Sequence, residues 1–123
     1  MNVPGALKPN RDQNRDRRPS AEQRYAILTS QPSVLVVAGP GAGKTRVLSA
    51  RLAHLLEAAE CTPDEIMVLS YTRNAATNIK KRTDRLLDNS IANTNGVVCN
   101  TFHGMCSILL RENIQLLSNR HDL

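Results

Sequence analysis

Short apolar runs of strand length alternate along the chain with stretches in which apolar residues recur every three or four positions. Continuous apolar runs are typical of strands covered on both faces, and the longer spacing is typical of helices. The runs predict strands at 34–37, 66–70 and 97–101. Ser20 can cap a short first helix that runs through Leu28, and the spacing predicts further helices at 43–60, 74–87 and 102–117. Strands alternating with helices predict an α/β fold with a parallel sheet and with ligands at the carboxyl ends of the strands.

A glycine-rich segment lies between the first predicted strand and the second predicted helix. It consists of Ala38, Gly39, Pro40, Gly41, Ala42, Gly43, Lys44 and Thr45. Strand, glycine loop and helix in this order are typical of a phosphate-binding loop, because glycines let backbone N–H groups approach an anion. Lys44 would then reach the β- and γ-phosphates of a nucleotide, and the Thr45 hydroxyl would bind Mg²⁺. The alternative is a flexible turn, and Ala38 stands where the motif usually has its first glycine.

The 123-residue chain carries a formal net charge of +5 and can bury one modest core. Residues 1–19 are basic and almost free of apolar side chains, which predicts a disordered tail before a folded domain at 20–123. No apolar run approaches membrane-spanning length, so we expect a soluble protein with no membrane contact. Three cysteines without a C-x-x-C pair predict reduced intracellular thiols. Acidic residues in the tail favour the nucleus or a bacterial cytoplasm over a mitochondrion.

Polar and aromatic residues stand where the second and third predicted strands end. They are Tyr71, Thr72, Arg73, Asn74, Thr101, Phe102 and His103. Because parallel strands end at the same edge of a sheet, we expect these residues and the glycine loop to share one rim. Hydroxyl and amide groups suit a sugar-phosphate backbone, and the faces of Tyr71 and Phe102 suit stacking of unpaired bases. Either ring could instead belong to the core.

Four cations lie on the third predicted helix, namely Lys80, Lys81, Arg82 and Arg85. Adjacent positions on a helix point about 100° apart, so all four cannot meet one phosphate track. A charged helix face is usually only solvated, and we assign these residues non-specific electrostatic attraction at most.

Four motifs in order make the chain resemble the UvrD/Rep-like superfamily 1 DNA helicases, whose ATP-binding domain has a RecA-like P-loop fold. The motifs are Gln23, Ala-Gly-Pro-Gly-Ala-Gly-Lys-Thr-Arg, Val-Leu-Ser-Tyr-Thr-Arg-Asn-Ala-Ala and Thr-Phe-His-Gly, and they fall within residues 20–112. The resemblance implies ATP and Mg²⁺ as cofactors, with Gln23 reading the adenine edge and Arg46 lying against the nucleotide. Taken alone, these two side chains would be ordinary exposed helix residues.

The same resemblance implies contact with single-stranded DNA at both strand ends. The residues concerned are Tyr71, Thr72, Arg73, Asn74, Thr101, Phe102 and His103. Arg73-Asn74 stands where the family usually has Asn-Lys, and Asn78-Ile79 stands where Glu-Met is common. These departures change the contacts with single-stranded DNA that the resemblance implies.

ATP hydrolysis in this family also uses an Asp-Glu pair at the end of another strand and arginines from a second motor domain. Asp64-Glu65 precedes a predicted strand instead of following one. We therefore expect an incomplete domain, the N-terminal part of a longer helicase, with no unwinding by this chain alone. An open sheet edge and exposed apolar helix faces would make such a piece marginally stable or prone to aggregate.

Two classes of function remain open. The first is an ATP-dependent DNA helicase of the 3′–5′ type, in which ATP hydrolysis drives translocation along single-stranded DNA. The second is a catalytically inactive nucleotide- and DNA-binding module from a truncated paralogue or a gene fragment. An unrelated phosphate-loop ATPase or kinase is a third, weaker alternative.

Overall fold

The computed structural model of the protein describes residues 18–118. Its helices are α1 (Ala21–Leu28), α2 (Lys44–Glu57), α3 (Arg73–Leu86), α4 (Phe102–Glu112) and α5 (Ile114–Ser118). Its strands are β1 (Met67–Ser70) and β2 (Val98–Thr101), with a 3-10 turn at Pro63–Glu65 before β1. Residues 1–17 and 119–123 lie outside the described part. The predicted disordered tail therefore falls outside it too, except for Arg18 and Pro19.

The two strands form a parallel sheet, as the sequence pattern predicts. Met67 pairs with Val98 at one end, and Ser70 pairs with Thr101 at the other. Helix α3 connects the strands and packs against both of them. The two strands therefore end side by side, and the chain leaves each one directly towards a helix.

The helix boundaries follow local signals in the sequence. Ser20 begins α1 through a reciprocal capping box, in which the Gln23 N–H donates to Ser20 Oγ (3.2 Å) and the Ser20 N–H donates to Gln23 Oε1 (2.9 Å). The single helix predicted at 102–117 is wrong, because Asn113 divides it into α4 and α5. Asn113 Nδ2 donates to the Leu109 carbonyl at 2.8 Å, a local bond that competes with continuation of the helix.

The core lies between α2, α3 and the sheet. Its buried side chains are Leu52, Ala53, Leu56, Val68, Ile79, Leu87 and Val97. Helices α2 and α3 meet through small polar side chains as well, because Ser49 and Thr83 are both 0% exposed. The Thr83 hydroxyl lies within hydrogen-bond distance of the Ile79 carbonyl (2.9 Å) and of the Ser49 carbonyl on α2 (3.4 Å). Small side chains let the two helices approach closely.

The strand predicted at 34–37 is wrong for the part of the chain that the structure describes. These residues form no strand, and Leu35 and Val37 are 88% and 87% exposed. A strand exists only through hydrogen bonds to a neighbouring strand, and the described sheet pairs β1 with β2 alone. An apolar run is therefore not enough to make a strand here.

Apolar side chains are also exposed on the last two helices. They are Phe102, Ile108, Leu109, Leu110, Ile114, Leu116 and Leu117. An apolar surface of this kind marks a place where other structure packs, or a site of aggregation. Within residues 18–118, no helix is long and apolar enough to cross a membrane.

Candidate functional site

The glycine loop, residues 38–45, leads from residues 34–37 into the first turn of α2. Gly41 and Gly43 have positive φ angles of 73° and 86°, which favour glycine over any residue with a Cβ. The first helical backbone bond runs from the Val47 N–H to the Gly43 carbonyl at 3.0 Å. The N–H groups of Lys44 and Thr45 precede that bond, so the helix offers them no acceptor. The loop thus presents unpaired donors at the positive end of a helix dipole.

Lys44 lies over this loop. Its Nζ donates to the Ala38 carbonyl at 3.2 Å, and the side chain is exposed. Lys44 is the next-to-last residue of the loop, and its ammonium group therefore lies beside the first residue of the loop. A cation held in that position adds to the attraction that the N–H groups exert on an anion.

Gln23 connects α1 to the glycine loop. Its Nε2 donates to the Ala42 carbonyl at 3.0 Å, while its Oε1 accepts the Ser20 N–H. A Cβ placed on Gly43 would lie 3.5 Å from the same Nε2. The predicted adenine-reading residue is therefore in direct contact with the predicted phosphate-binding loop, although the two are separated by nineteen positions in the sequence.

An open cleft of about 530 Å³ surrounds this contact. Its cationic lining consists of Arg18, Lys44, Arg46 and Arg82. It adjoins a second cleft of about 950 Å³ between α1, α2 and α3, and the two share Gln23, Thr45, Arg46 and Arg82. Among the described residues, no Asp or Glu lines either cleft. The combined surface is cationic and suits a polyanion.

Three of the four cations that the sequence placed on the third predicted helix belong to this surface, and the sequence analysis did not predict this. Lys81, Arg82 and Arg85 line the larger cleft together with Asn78, whereas Lys80 does not. Positions 78, 81, 82 and 85 follow the i, i+3, i+4, i+7 spacing of one helix face. Sorting the cations by the face of the helix on which they lie would have separated Lys81, Arg82 and Arg85 from Lys80.

The two strand ends bring the other candidate residues together. Ser70 and Thr101 are register partners, so Tyr71 and Phe102 follow from neighbouring strands whose backbones lie about 4.8 Å apart. Tyr71 is 93% exposed and Phe102 is 53% exposed. Tyr71 is therefore not a core residue, and both rings present surface to solvent. His103, Arg73 and Asn74 are also exposed.

Thr72 and Thr101 have a structural role at these ends. Thr72 Oγ1 accepts the Ala75 N–H at 3.1 Å and begins α3, while Thr101 Oγ1 accepts the Gly104 N–H at 3.1 Å and begins α4. Both are N-caps, which satisfy donors that the first helical turn leaves unpaired. Each hydroxyl keeps its own proton to donate to another group.

Gly104 has a steric role in the second of these turns. A Cβ at this position would lie 2.2 Å from Asn100 Oδ1 and 3.1 Å from Thr101 Oγ1. The Asn100 amide oxygen accepts the Thr101 N–H at 2.8 Å and occupies the space that a side chain at 104 would need. Packing within the turn therefore favours glycine at position 104, the last residue of Thr-Phe-His-Gly.

The three cysteines are free thiols, as the sequence predicts. Burial raises the pKa of the Cys99 thiol above its usual value, and the charge of Lys80 acts in the opposite direction. The raised pKa favours the neutral thiol of Cys99 over the more nucleophilic thiolate. In residues 18–118 no group of three or more His, Cys, Asp or Glu side chains is placed to hold a metal ion.

The sequence matches the family model of the UvrD/REP helicase N-terminal domain over residues 20–123. The chain therefore belongs to this helicase family. Its mixed helix and strand arrangement, with a small parallel sheet, is consistent with a piece of such a domain.

Similar proteins include the ATP-dependent DNA helicase PcrA of Staphylococcus aureus, which is 35% identical over 92 residues. PcrA of Staphylococcus epidermidis is 36% identical over the same length. Each match covers 75% of this chain and 12% of the relative. The chain thus matches a small part of these relatives.

Proposed function

We propose that this chain is the ATP-binding segment of an ATP-dependent DNA helicase of the 3′–5′ type. In this proposal the remaining helicase domains complete the motor, and single-stranded DNA is the substrate along which it moves. The observation that carries the proposal is the bond between Gln23 and Ala42 in a cationic cleft. This bond joins the side chain that we propose reads the base to the loop that we propose binds the phosphates, in a member of the UvrD/REP family.

The glycine loop fits a triphosphate. Two left-handed glycines, the N–H groups at the start of α2 and the Lys44 ammonium group offer donors to phosphate oxygens. In the proposed complex, residues 38–44 hold the β- and γ-phosphates, and the Thr45 hydroxyl holds Mg²⁺. Bound Mg²⁺-ATP supplies the phosphoanhydride whose hydrolysis drives movement. Gln23 orients the adenine, and Arg46 lies against the nucleotide.

The strand ends form the proposed DNA contact. Exposed Tyr71 and Phe102 rings would stack on unpaired bases, with Arg73, Asn74 and His103 beside the backbone. Thr72 and Thr101 would hold the two helix starts in place and donate their hydroxyl protons to phosphates. Helix α3 starts at one of these ends and packs on α2, so one rigid element lies between the two proposed sites.

A second function is favoured by the absence of carboxylates from the clefts of the described residues. Hydrolysis needs a group that positions and deprotonates water, and in motor ATPases that group is acidic. We propose that this chain by itself binds Mg²⁺-ATP and DNA without turnover. It would then act as a nucleotide- and DNA-binding module unless other domains supply the acid.

Calorimetric titration of Mg²⁺-ATP into the chain and into Lys44→Ala tests the nucleotide site. Charge-assisted hydrogen bonds contribute about 1.5–3 kcal/mol, so Lys44→Ala should weaken binding on the order of 10- to 100-fold. Lys80→Ala is the matched control, because Lys80 lies outside both clefts and should leave the affinity unchanged.

The same three proteins should bind a fluorescent single-stranded oligonucleotide alike, because Lys44 is not at the strand ends. Equal Mg²⁺-ATP affinity in the original chain and Lys44→Ala would contradict the proposed nucleotide site. DNA-stimulated release of phosphate by this chain alone would contradict the proposal that it lacks the hydrolytic group.

A further inference from the structure

Helix α1 has a polar contact with the rest of the molecule at each end. It has eight residues and no buried side chain, and isolated helices shorter than about 12 residues are marginal in water. An apolar cleft of about 280 Å³ lies between α1, Val34, Val36 and the side of α2. Packing therefore holds α1 through half-buried side chains such as Ala26 and Ile27, with no fully buried one.

Arg51 of α2 holds the carboxyl end of α1. Its Nη1 donates to the Ile27 carbonyl at 2.9 Å and to the Thr29 carbonyl at 2.5 Å, and the side chain is half-buried. The last carbonyls of a helix lack intrahelical partners and carry partial negative charge, which a cation stabilises. Because α1 has no basic residue in its own last turn, the cation comes from another helix.

The other end of α1 is held by Gln23, through the bond to Ala42 already described. Helix α1 is thus attached to α2 by Arg51 at one end and to the loop before α2 by Gln23 at the other. Residues 29–37 between them form no helix or strand. If Arg51 releases the carboxyl end, the hydrogen bond from Gln23 to Ala42 is the described polar contact that still ties α1 to the glycine loop.

We infer that Arg51 is a positioning residue for recognition of the nucleotide base. Arg51 does not line the cationic clefts around the glycine loop, and in this inference it acts by fixing the helix that carries Gln23. This inference rests on the proposed nucleotide site. It predicts that Arg51 affects the part of the affinity that depends on the base, while the affinity for the phosphates stays as it is.

The test compares Mg²⁺-ATP with magnesium tripolyphosphate, which has three phosphates and no base, by calorimetry. Arg51→Met keeps the apolar stem and removes the donors, so it should weaken ATP binding by about five- to tenfold, the loss expected for about one net hydrogen bond. Tripolyphosphate binding should change less than twofold. Arg51→Lys keeps a cation with three donors and should restore most of the ATP affinity. Arg111→Met, on exposed α4, is the matched control and should change neither affinity.

Equal weakening for both ligands, or no weakening for either, would overturn the role of Arg51. Failure of the original chain to bind either ligand would instead overturn the proposed function. Should Arg51→Met fail to fold by circular dichroism, Arg51→Lys carries the test through amide hydrogen exchange. Because a shorter side chain with an ammonium group reproduces the fork of guanidinium donors only in part, α1 amides should exchange somewhat faster than in the original chain, whereas α3 amides should not. Unchanged exchange in α1 would count against the inference.

Discussion

The glycine-loop region and the strand-end region are built in different ways. Around the strand ends, β1, β2 and α3 share a buried core, and threonine caps fix both helix starts. Around the glycine loop, residues 34–37 are exposed, α1 buries no side chain, and individual polar bonds hold the parts together. The strand-end region is thus a packed region, stabilised by its core, and the glycine-loop region with α1 and residues 34–37 is a tethered region, held by a few hydrogen bonds.

This difference determines what a single substitution can do. In the packed region, removal of one side chain affects the free energy of unfolding of the whole chain, because its neighbours lose contacts. In the tethered region, removal of one donor or acceptor changes local geometry and ligand affinity, while the core stays intact. Stability and nucleotide affinity should therefore respond to different sets of residues.

The largest expected effect is on the core. Ile79 is 4% exposed between α3 and the sheet, so Ile79→Ala should lower the free energy of unfolding by about 2–5 kcal/mol in urea denaturation. Leu35→Ala is the matched aliphatic truncation in the tethered region, and because Leu35 is 88% exposed it should cost less than about 0.5 kcal/mol. A large loss in Leu35→Ala would mean that residues 34–37 are packed in solution, and the contrast between the regions would fail.

The packed region is also the one that the sequence predicted well. Strands expected at 66–70 and 97–101 are observed at Met67–Ser70 and Val98–Thr101, and their parallel pairing is confirmed. The Ser20 cap and the start of α3 were within one residue of prediction. Caps, helical spacing and a short crossover are local signals, and here local and tertiary preferences agree.

The tethered region was predicted less well, for a physical reason. Residues 34–37 have the composition of a buried strand, but strand formation depends on a partner that local sequence does not specify. Two contacts depend on how α1 is placed against α2 and the loop before it. They are the contact of Gln23 with Ala42 and the contact of Arg51 with the carboxyl end of α1. The roles of individual site residues remain predictions, and the phosphate-loop motif is the strongest basis for them.

An intermediate effect is expected at the turn after β2. Gly104→Ala would place a Cβ against Asn100 Oδ1, and forcing atoms into a filled site typically costs about 1–3 kcal/mol. Thermal unfolding would show a lower midpoint, and displacement of Thr101 and Phe102 should weaken binding of single-stranded DNA. Asn100→Ala removes the obstructing oxygen, so Gly104→Ala should cost less in that background. Equal costs in both backgrounds would show that the contact with Asn100 is not the reason for glycine.

The smallest expected effect on stability comes from substitutions in the glycine loop. There two substitutions distinguish the cost of a left-handed backbone from the cost of a steric clash. Gly43→Ala meets only the end of the Gln23 side chain at 3.5 Å, but a φ of 86° costs a residue with a Cβ about 1–2 kcal/mol. Gly39→Ala meets nothing within 4 Å and is not in the left-handed region, so it should be nearly neutral. Urea denaturation should separate the pair by about 1 kcal/mol, and Mg²⁺-ATP titration should show weakened binding for Gly43→Ala alone. If Gly39→Ala weakens Mg²⁺-ATP binding as much as Gly43→Ala, the nucleotide occupies the space beside Gly39. The loop then needs glycine so that the nucleotide can approach its backbone closely, and the left-handed backbone at Gly43 is not the reason.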